Sequence, residues 1–565
     1  MHQTPQPPLD DAVDTPVEDP VTASEPTEDG RVSTPVPEAA VEPVEPVEQP
    51  QYVSPLLGLP VLVLGLGASG LAMARWCMRE GAHVVVADTR EQPPALDTLR
   101  AELPQVEFIS GPMDAGLLQR SQARMVFKSP GLAPAPLQAL HAAALAAAIP
   151  WTGELGLFAQ ALHALRLQRS YQPRVLAVTG TNGKTTVCSL SAQLVERAGK
   201  TVALAGNIGP TLLDTLQHHL ATDDDLPEVW VLELSSFQLA DMAATPTLGA
   251  DWRLEPTAAT VLNITEDHLD WHGDLASYTR AKAAIFGQQG LMVLNRDDAA
   301  VMAMLPPPPK GRGAVQRPWL SFGAGVPARP ADFGLETVNG IAWLAKAAER
   351  DPTWKPRKGQ EEDIHLQRLM PAEALRIRGR HNAVNALAAL ALVSAAGCTL
   401  APVLFGLREY RGEPHRVMPL GLVRDVEFFD DSKGTNVGAT VAALQGLGAE
   451  RRMVVILGGD GKGQDFSPLA APVAQFARAA VLIGRDAPRI REALQGCGVP
   501  LLQAEDMDEA VRLGFEQAHP GDAVLLSPAC ASLDMYRNYV HRAEVFAGAV
   551  SALALDLGTV LEGES

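Results

Sequence analysis

Residues 179–186 read Thr-Gly-Thr-Asn-Gly-Lys-Thr-Thr and directly follow the apolar run 175–178. This pattern predicts a buried β-strand, a tight phosphate-binding turn and the start of a helix. Backbone N–H groups of the turn would bind phosphates, Lys184 adds a cation, and the Thr185 hydroxyl can ligate Mg²⁺. The common P-loop has a glycine five positions before its Gly-Lys pair, where this chain has Val178. The loop therefore predicts an α/β protein that binds ATP or GTP and departs from ordinary P-loop ATPases.

Length, charge and cysteine spacing limit the remaining possibilities. A chain of 565 residues has room for about three to four domains. The formal net charge is −20, and twelve acidic residues and one arginine in residues 1–52 account for −11 of it. The mildly acidic remainder argues against a nucleic-acid partner. The five cysteines have no paired spacing, which favours a reducing cytoplasm, and the absence of an uninterrupted apolar run of about 18 residues argues against a membrane span.

Residues 1–52 form a proline-rich acidic tail that contains the repeat Val-Glu-Pro-Val-Glu-Pro-Val-Glu at 41–48. Such a segment has too little apolar surface to offset its ordering entropy, so we expect it to be disordered. A docking role is an alternative to a simple solvated extension.

Three folded segments are predicted after the tail. In residues 53–153, the strand candidate 60–64 runs into Gly65-Leu66-Gly67-Ala68-Ser69-Gly70, and a helix then leads to the strand 82–88, which ends in Asp88. This spacing is typical of a Rossmann-type βαβ unit that binds a nucleotide diphosphate. The alternative is that the glycines serve only a tight strand–helix turn.

The middle segment, 154–412, repeats the arrangement of a strand followed by polar residues. Alternating strands and helices predict a parallel sheet, whose functional groups lie at the carboxyl ends of the strands. Glu233 ends one apolar strand and is placed to meet the Mg²⁺ of the phosphate loop. His268 and His272 follow another strand, 258–263; a zinc site is an alternative there, but no third soft ligand is apparent. On composition alone, Lys282 would lie on a solvated helix face.

The last segment, 413–565, has three strand-and-loop elements, in which polar clusters follow the strands at 428–429, 453–457 and 523–526. They predict a second Rossmann-like domain that binds a small charged substrate.

Two interruptions of the middle segment, 305–313 and 347–363, are predicted to be surface loops.

Taken together, these motifs resemble the Mur ligase family. They occur in order through all three segments and cover about residues 56–550. The motifs are Gly180–Thr186, Gly206–Gly209, Glu233–Gln238, Asn263–His268, His381–Asn385, His415–Arg416, Asp431–Asn436 and Ser527–Asp534.

The resemblance implies an ATP-dependent amide ligase of peptidoglycan precursor synthesis, most similar to the members that add D-glutamate to UDP-N-acetylmuramoyl-L-alanine. ATP would phosphorylate the substrate carboxylate, the D-glutamate amine would attack the acyl phosphate, and phosphate would leave. Phosphorylation is needed because a free carboxylate repels an amine and has no leaving group. Cations must offset the charge on the transferring phosphoryl group.

The resemblance also implies roles for individual residues. Lys184, His268 and Lys282 would be catalytic, and two Mg²⁺ ions would be held by Thr185 with Glu233 and by His268 with Lys282, the lysine being carbamylated as in the family. ATP would contact Gly180, Thr181, Asn182, Gly183, Lys184, Thr185, Thr186, Asn382, Asn385, Arg416 and Asp431. The UDP substrate would contact Gly67, Ala68, Ser69, Asp88, Thr89, Arg90, Ser129 and Asn207. D-glutamate would contact Lys433, Thr435, Lys462, Ser532, Leu533 and Tyr539, the last standing where phenylalanine is expected.

Three alternatives remain at this point. A sister ligase could add another amino acid, although 486–489 reads Asp-Ala-Pro-Arg where the diaminopimelate-adding ligase has Asp-Asn-Pro-Arg. A nicotinamide-dependent oxidoreductase would use residues 61–88 but leaves the phosphate loop unexplained. A non-enzymatic nucleotide-binding module would not need Glu233, His268 and Lys282 together. We expect a cytoplasmic monomer with small-molecule substrates.

Overall fold

The computed structural model describes residues 52–222, 225–243, 248–310, 315–350, 364–448 and 451–561. The tail predicted to be disordered lies outside these ranges except for Tyr52, whose hydroxyl accepts a hydrogen bond from Gln160. Within the described ranges, no helix has the length and apolar character needed to cross a membrane.

The first sheet is parallel and has the strand order β3-β2-β1-β4-β5. Its strands are β1 (Pro60–Leu64), β2 (His83–Asp88), β3 (Glu107–Ser110), β4 (Met125–Lys128) and β5 (Trp151–Gly153). The helices are α1 (Ala68–Arg79), α2 (Leu96–Glu102), α3 (Leu117–Ser121), α4 (Pro134–Ala146) and α5 (Glu154–Arg169). The order reverses between β1 and β4, which creates a crevice at the carboxyl ends of these strands.

The central sheet is also parallel, with the order β11-β10-β9-β6-β8-β7. Its strands are β6 (Arg174–Thr179), β7 (Val202–Gly206), β8 (Val229–Glu233), β9 (Ala258–Val261), β10 (Leu291–Asn295) and β11 (Trp319–Phe322). The helices are α6 (Lys184–Arg197), α7 (Leu212–Ala221), α8 (Ser236–Ala243), α9 (Leu269–His272), α10 (Leu275–Ala283), α11 (Ala299–Met302), α12 (Arg380–Ala395) and α13 (Leu400–Glu409). Because β6 and β8 are buried along almost their whole length, they are continuous apolar runs rather than alternating ones.

A small antiparallel sheet follows the central one and was not predicted. It consists of β12 (Phe333–Val338), β13 (Ile341–Glu349) and β14 (Ile364–Pro371). The prediction of a surface loop over 347–363 is therefore wrong at 347–349, because these residues pair with β14. Residues 351–363 lie outside the described ranges, and 305–310 have no regular structure, as expected.

The last sheet has the order β15-β16-β20-β17-β18-β19 and is parallel except for β15. Its strands are β15 (Met418–Val423), β16 (Val426–Asp430), β17 (Met453–Gly458), β18 (Ala477–Ile483), β19 (Leu501–Gln503) and β20 (Ala523–Leu526). The helices are α14 (Val437–Gly448), α15 (Ala470–Phe476), α16 (Ala487–Ala493), α17 (Met507–Gln517) and α18 (Tyr539–Asp556). Short 3₁₀ turns lie at Ala250–Trp252, Ala284–Phe286, Ala372–Ala374 and Ser467–Leu469. The predicted α/β class with parallel sheets is confirmed.

The hydrophobic cores are not divided evenly among the sheets. One continuous cluster joins the first sheet to one face of the central sheet, running from Leu56 through Phe158 and Trp230 to Val301. A buried ion pair lies at the same junction, where Lys128 Nζ at the end of β4 is 3.1 Å from Asp241 Oδ2 on α8. The last sheet has two clusters of its own, drawn only from residues after 416.

Candidate active site

A cleft of about 930 Å³ lies where the carboxyl ends of the central strands face loops of the last sheet. The predicted residues that line it come from both parts of the chain. They are Thr181, Asn182, Gly183, Lys184, Thr185, Asn207, Glu233, His268, Arg416, Lys433, Thr435, Lys462 and Tyr539. Residues far apart in sequence but assigned to one reaction are thus brought together.

The phosphate loop spans the end of β6 and the start of α6. Gly183 precedes the helix with φ of +83°, and a Cβ there would come within 2.9 Å of Asn385 Oδ1, so only glycine fits this position well. Lys184 Nζ donates to the carbonyl oxygens of Gly180 and Thr181, each at 2.9 Å. Burial lowers the pKa of Lys184, and the neighbouring Arg416 adds to this. The loop is therefore preformed, with its N–H groups at a helix N-terminus where anions bind.

Glu233 ends β8 beside this loop and is 1% exposed. Its Oε1 accepts a hydrogen bond from Asn207 Nδ2 at 2.8 Å, while Oε2 is buried and has no partner among the described residues. An orphaned carboxylate oxygen is costly unless something compensates it. Thr185 Oγ1 lies on the same cleft and accepts from Arg416 Nη2 at 2.6 Å. Two oxygen donors of these types fit the preference of Mg²⁺.

His268 and His272 have different environments. His268 has φ of +55°, its Nε2 lies 3.6 Å from Asp267 Oδ2, and its ring meets the edge of Phe237 at 4.7 Å. Burial lowers the pKa of His268, which favours the neutral imidazole that can ligate a metal. His272 Nε2 instead pairs with Ser236 Oγ at 2.9 Å. Within the described ranges, no group of three or more His, Cys, Asp or Glu side chains is arranged to hold a metal ion.

Lys282 lies on α10 and is 1% exposed, so the alternative of a solvated helix face is wrong. Its Nζ donates to Gly180 O at 2.8 Å and to Thr179 Oγ1 at 3.2 Å, and lies 4.7 Å from the centre of the Tyr278 ring. Burial lowers the pKa of Lys282 well below its ordinary value, with Lys184 contributing. The side chain therefore contacts the phosphate loop from beneath and is biased toward the neutral amine.

The last sheet contributes cations to the opposite wall of the cleft. Lys433 Nζ stacks 3.8 Å from the centre of the Tyr539 ring. Burial lowers the pKa of Lys433 to about 8, with Arg416 and Lys184 adding to the effect. Two residues predicted to contact D-glutamate do not line this cleft: Ser532 is buried and Leu533 is 68% exposed.

Several predicted nucleotide contacts are not among the residues that line the cleft. Asp431 is buried and accepts from Ser527 Oγ at 2.6 Å, and burial raises the pKa of Asp431 to about 7. Asn382 Nδ2 donates to Arg378 O at 2.8 Å, and Asn385 Nδ2 donates to Asn382 Oδ1 at 3.1 Å. Thr186 is buried within α6. These residues do not line the cleft wall.

The predicted UDP residues other than Asn207 lie on the first sheet, outside this cleft. Asp88 Oδ2 accepts from the Leu66 amide at 2.8 Å, and Arg90 donates to both carboxylate oxygens at 2.8 Å. Burial alone raises the pKa of Asp88, but hydrogen bonds from Arg90 and from backbone amides lower it to about 2. Ser129 Oγ donates to Gly65 O at 2.9 Å.

The backbone of Gly70 packs closely against Gly65 in the glycine-rich turn 65–70. A Cβ at Gly70 would lie 1.9 Å from Gly65 O, so this position requires glycine. Gly67 precedes α1, Ala68 and Ser69 begin it, and the exposed Thr89 follows β2. The predicted UDP residues of this sheet thus lie at the carboxyl ends of the neighbouring strands β2, β1 and β4.

Some residues of the site were missed. Asp267 and Glu413 line the cleft, and the available signal was that they lie close in sequence to His268 and Arg416. The sequence did not indicate that Glu154 and Arg542 are buried, because most of the residues they hydrogen-bond to are remote in sequence.

Comparison with known proteins places these features in one family. Consecutive parts of the chain match the Mur ligase MurD-like N-terminal domain (60–152), the Mur ligase middle domain (178–309) and the Mur ligase glutamate ligase domain (415–530). The UDP-N-acetylmuramoylalanine--D-glutamate ligase of Albidiferax ferrireducens is 63% identical over 507 residues, which cover 89% of this chain and 98% of that protein. The ligase of the same name from Ralstonia nicotianae is 56% identical over 512 residues, with 89% and 98% coverage.

A solved structure shows the same fold at low identity. The MurF ligase of Thermotoga maritima, in complex with ADP, is similar with a TM-score of 0.52 at 15% identity, covering 89% of this chain and 96% of that chain. High identity over nearly the full length of curated relatives, together with the three matched domains, shows that the chain belongs to the Mur ligase family.

Proposed function

We propose that the protein is an ATP-dependent ligase that joins D-glutamate to UDP-N-acetylmuramoyl-L-alanine in peptidoglycan precursor synthesis. One observation carries the proposal: a single cleft joins the phosphate loop, an orphaned carboxylate oxygen on Glu233 and the cations Lys433 and Lys462. Relatives at 63% and 56% identity bear the name of this activity. Family membership also favours this reaction over the nicotinamide-dependent alternative.

The proposed reaction begins with transfer of the γ-phosphoryl group of ATP to the carboxylate of the UDP substrate. The acyl phosphate then accepts the amine of D-glutamate, and the tetrahedral intermediate expels phosphate. The loop N–H groups and Lys184 would hold the phosphates, while Arg416, which reaches Thr185, offsets charge on the transferring group. Fixing both substrates in one cleft converts the attack into an effectively intramolecular step.

Two Mg²⁺ sites belong to the proposal. Thr185 and Glu233 would hold one ion, and the unpartnered Oε2 of Glu233 supports this. His268 and a carbamylated Lys282 would hold the other; carbamylation requires a neutral amine, which the burial of Lys282 favours. Bound Mg²⁺ would neutralise phosphate charge.

We assign the UDP moiety to the crevice between β1 and β4 and D-glutamate to the loops of the last sheet. Residues 53–153 would form a Rossmann-like UDP-binding domain, 154–412 a P-loop-type ATPase domain and 413–565 a Rossmann-like amino-acid-binding domain. The strand order β3-β2-β1-β4-β5 supports the first of these. The enzyme would act as a cytoplasmic monomer.

The decisive experiment measures ADP release with ATP, Mg²⁺ and UDP-N-acetylmuramoyl-L-alanine, using D-glutamate, L-glutamate or diaminopimelate as the amine. We expect turnover with D-glutamate and very little with the other two. Equal rates with both glutamate enantiomers, or a preference for diaminopimelate, would contradict the proposal.

A further inference from the structure

Arg542 is the largest buried cation of the last sheet, with 1% of its surface exposed. It lies in the first turn of α18 and forms no ion pair with a carboxylate among the described residues. Arg542 is removed from water and lies at the positive end of a helix dipole, and the nearby Asp534 and Asp430 offset only part of this cost. Burial accordingly lowers the pKa of Arg542 to about 10.

The guanidinium is satisfied by neutral acceptors on two different loops. Nη2 donates to Ser432 O at 2.7 Å, Nε donates to Ser432 Oγ at 3.0 Å, and Nη1 donates to Cys530 O at 3.1 Å. Ser432 follows β16 and Cys530 follows the adjacent strand β20, so one planar side chain spans the carboxyl ends of two neighbouring strands.

These loops carry the residues assigned to D-glutamate. Ser432 precedes Lys433, and its Oγ donates in turn to Tyr539 O at 2.8 Å. Cys530 precedes Ala531, which exchanges two backbone hydrogen bonds of 2.9 Å with Asp460. Asp460 Oδ1 accepts from the Lys462 amide at 3.0 Å. Arg542 is therefore linked to Lys433 and Tyr539 through Ser432, and to Lys462 through Cys530, Ala531 and Asp460.

We propose that Arg542 is a positioning residue for D-glutamate, which it serves by fixing the loops of Ser432 and Cys530 relative to each other. This inference rests on the proposed function. It does not place Arg542 against the substrate. This role explains why the position has an arginine, although an apolar side chain there would avoid the free-energy cost of removing a charge from water.

The test is steady-state ADP release by Arg542→Met and Arg542→Lys, with separate KM values for D-glutamate, ATP and the UDP substrate. Lysine keeps the charge but cannot reach both loops with a planar fork. We expect both variants to raise the D-glutamate KM by roughly tenfold or more and to change the ATP KM by less than about threefold. Arg478→Met is the control, because Arg478 pairs with Asp522 at the opposite end of the same sheet.

Equal changes in all three KM values, or wild-type kinetics in Arg542→Lys, would overturn the inference. If Arg542→Met does not fold, Ser432→Ala is the deciding variant, because it removes one acceptor of Arg542 and the hydrogen bond to Tyr539 O. An unchanged D-glutamate KM in Ser432→Ala would also overturn the inference. Absence of D-glutamate-dependent ADP release in the wild type would instead refute the proposed function itself.

Discussion

The side-chain amides of Asn182 and Asn436 hydrogen-bond to each other in both directions, with N–O distances of 3.3 and 3.1 Å. Asn182 belongs to the phosphate loop, and Asn436 directly precedes α14 of the last sheet. Gly438, two residues after Asn436, permits this approach, because a Cβ there would lie 2.8 Å from Thr265 Oγ1 and 3.3 Å from Asn182 Nδ2. The pair therefore connects the two walls of the cleft.

Loss of this amide pair should weaken the assembled site. We expect Asn436→Ala to lower kcat/KM for ATP by about three- to tenfold, the equivalent of one net hydrogen bond. Because Asn436 Oδ1 also accepts from the Ala439 amide, part of the effect comes from the helix cap. A double-mutant cycle with Asn182→Ala separates the two contributions, and strictly additive effects would show that the pair is not coupled.

Replacement of Lys282 should abolish most activity. Lys282→Ala is expected to lower kcat by at least about 10²-fold, because it removes a ligand of the proposed second Mg²⁺ ion, which would offset charge on the transferring phosphoryl group. The matched control is Arg280→Ala on the exposed face of the same helix, where we expect stability to change by no more than about 0.5 kcal/mol and activity to remain. Activity in Lys282→Ala close to that of the control would contradict the assignment.

Carbamylation of Lys282 predicts a dependence on dissolved CO₂. The wild type should lose activity after prolonged CO₂ removal at mildly acidic pH and regain it with bicarbonate, whereas Lys282→Ala should not respond. Intact mass spectrometry of fully active enzyme that shows an unmodified lysine would disprove the carbamate but leave the ligase assignment in place.

Replacement of Arg90 should affect only the UDP substrate. Arg90 donates hydrogen bonds to both carboxylate oxygens of Asp88. Because both residues are assigned to the UDP site, Arg90→Ala should raise the KM for UDP-N-acetylmuramoyl-L-alanine. The expected rise corresponds to a loss of about 1.5–3 kcal/mol of binding free energy, with the ATP KM little changed. Arg120→Ala serves as control, because Arg120 is an exposed arginine on α3 that pairs with Asp114. NADH binding to the intact protein by fluorescence would argue for the oxidoreductase alternative.

Glu154 should make stability depend on pH. Its Oε1 accepts from the Leu213 amide at 3.1 Å, and Ser69 is a further hydrogen-bonding neighbour. Burial raises the pKa of Glu154 from 4.5 to about 7. The folded state thus holds a proton that the unfolded state releases, and this stabilisation is complete below about pH 4.5 and lost as the pH rises through 7.

Comparison with Glu154→Gln tests this directly. In urea unfolding between pH 5 and 7.5, the wild type should lose up to roughly 3 kcal/mol relative to the variant. The exposed Glu107→Gln should parallel the wild type. Parallel curves for wild type and Glu154→Gln would exclude a raised pKa.

Tyr539 should act through its ring rather than its hydroxyl. The Lys433 ammonium lies over the ring, so Tyr539→Phe should keep the D-glutamate KM within about twofold, whereas Tyr539→Ala should raise it by about three- to thirtyfold, as expected for loss of a cation–π contact. Similar kinetics in both variants would show that the stacking does not contribute.

The predictable part of the structure is local. Apolar runs at 60–64, 229–233 and 523–526 became buried parallel strands with little change in their bounds, because both faces of these strands are covered. Likewise, residues directly after such strands reached the cleft or the β1/β4 crevice, because the carboxyl ends of parallel strands meet at one edge.

The unpredicted part depends on contacts between remote residues. The strand at 347–349 is stabilised by pairing with β14, which composition does not reveal. Lys282 looked like a solvated residue because the spacing around α10 does not show that Gly180 and Thr179 cover its amine. Arg542 was missed for the same reason, since its acceptors lie more than a hundred residues earlier or on another loop.

The continuous cluster that joins the first and central sheets determines where the protein can open to admit its substrates. Separating these sheets would expose the apolar side chains of that cluster to water and would break the ion pair between Lys128 and Asp241. The last sheet instead meets the phosphate loop through polar contacts such as Arg416 with Thr185, which water can replace. We therefore expect the first two sheets to move as one rigid body, and the last sheet to rotate away from them. ATP and the UDP substrate would then bind to a surface that does not change, whereas D-glutamate would bind to one that moves.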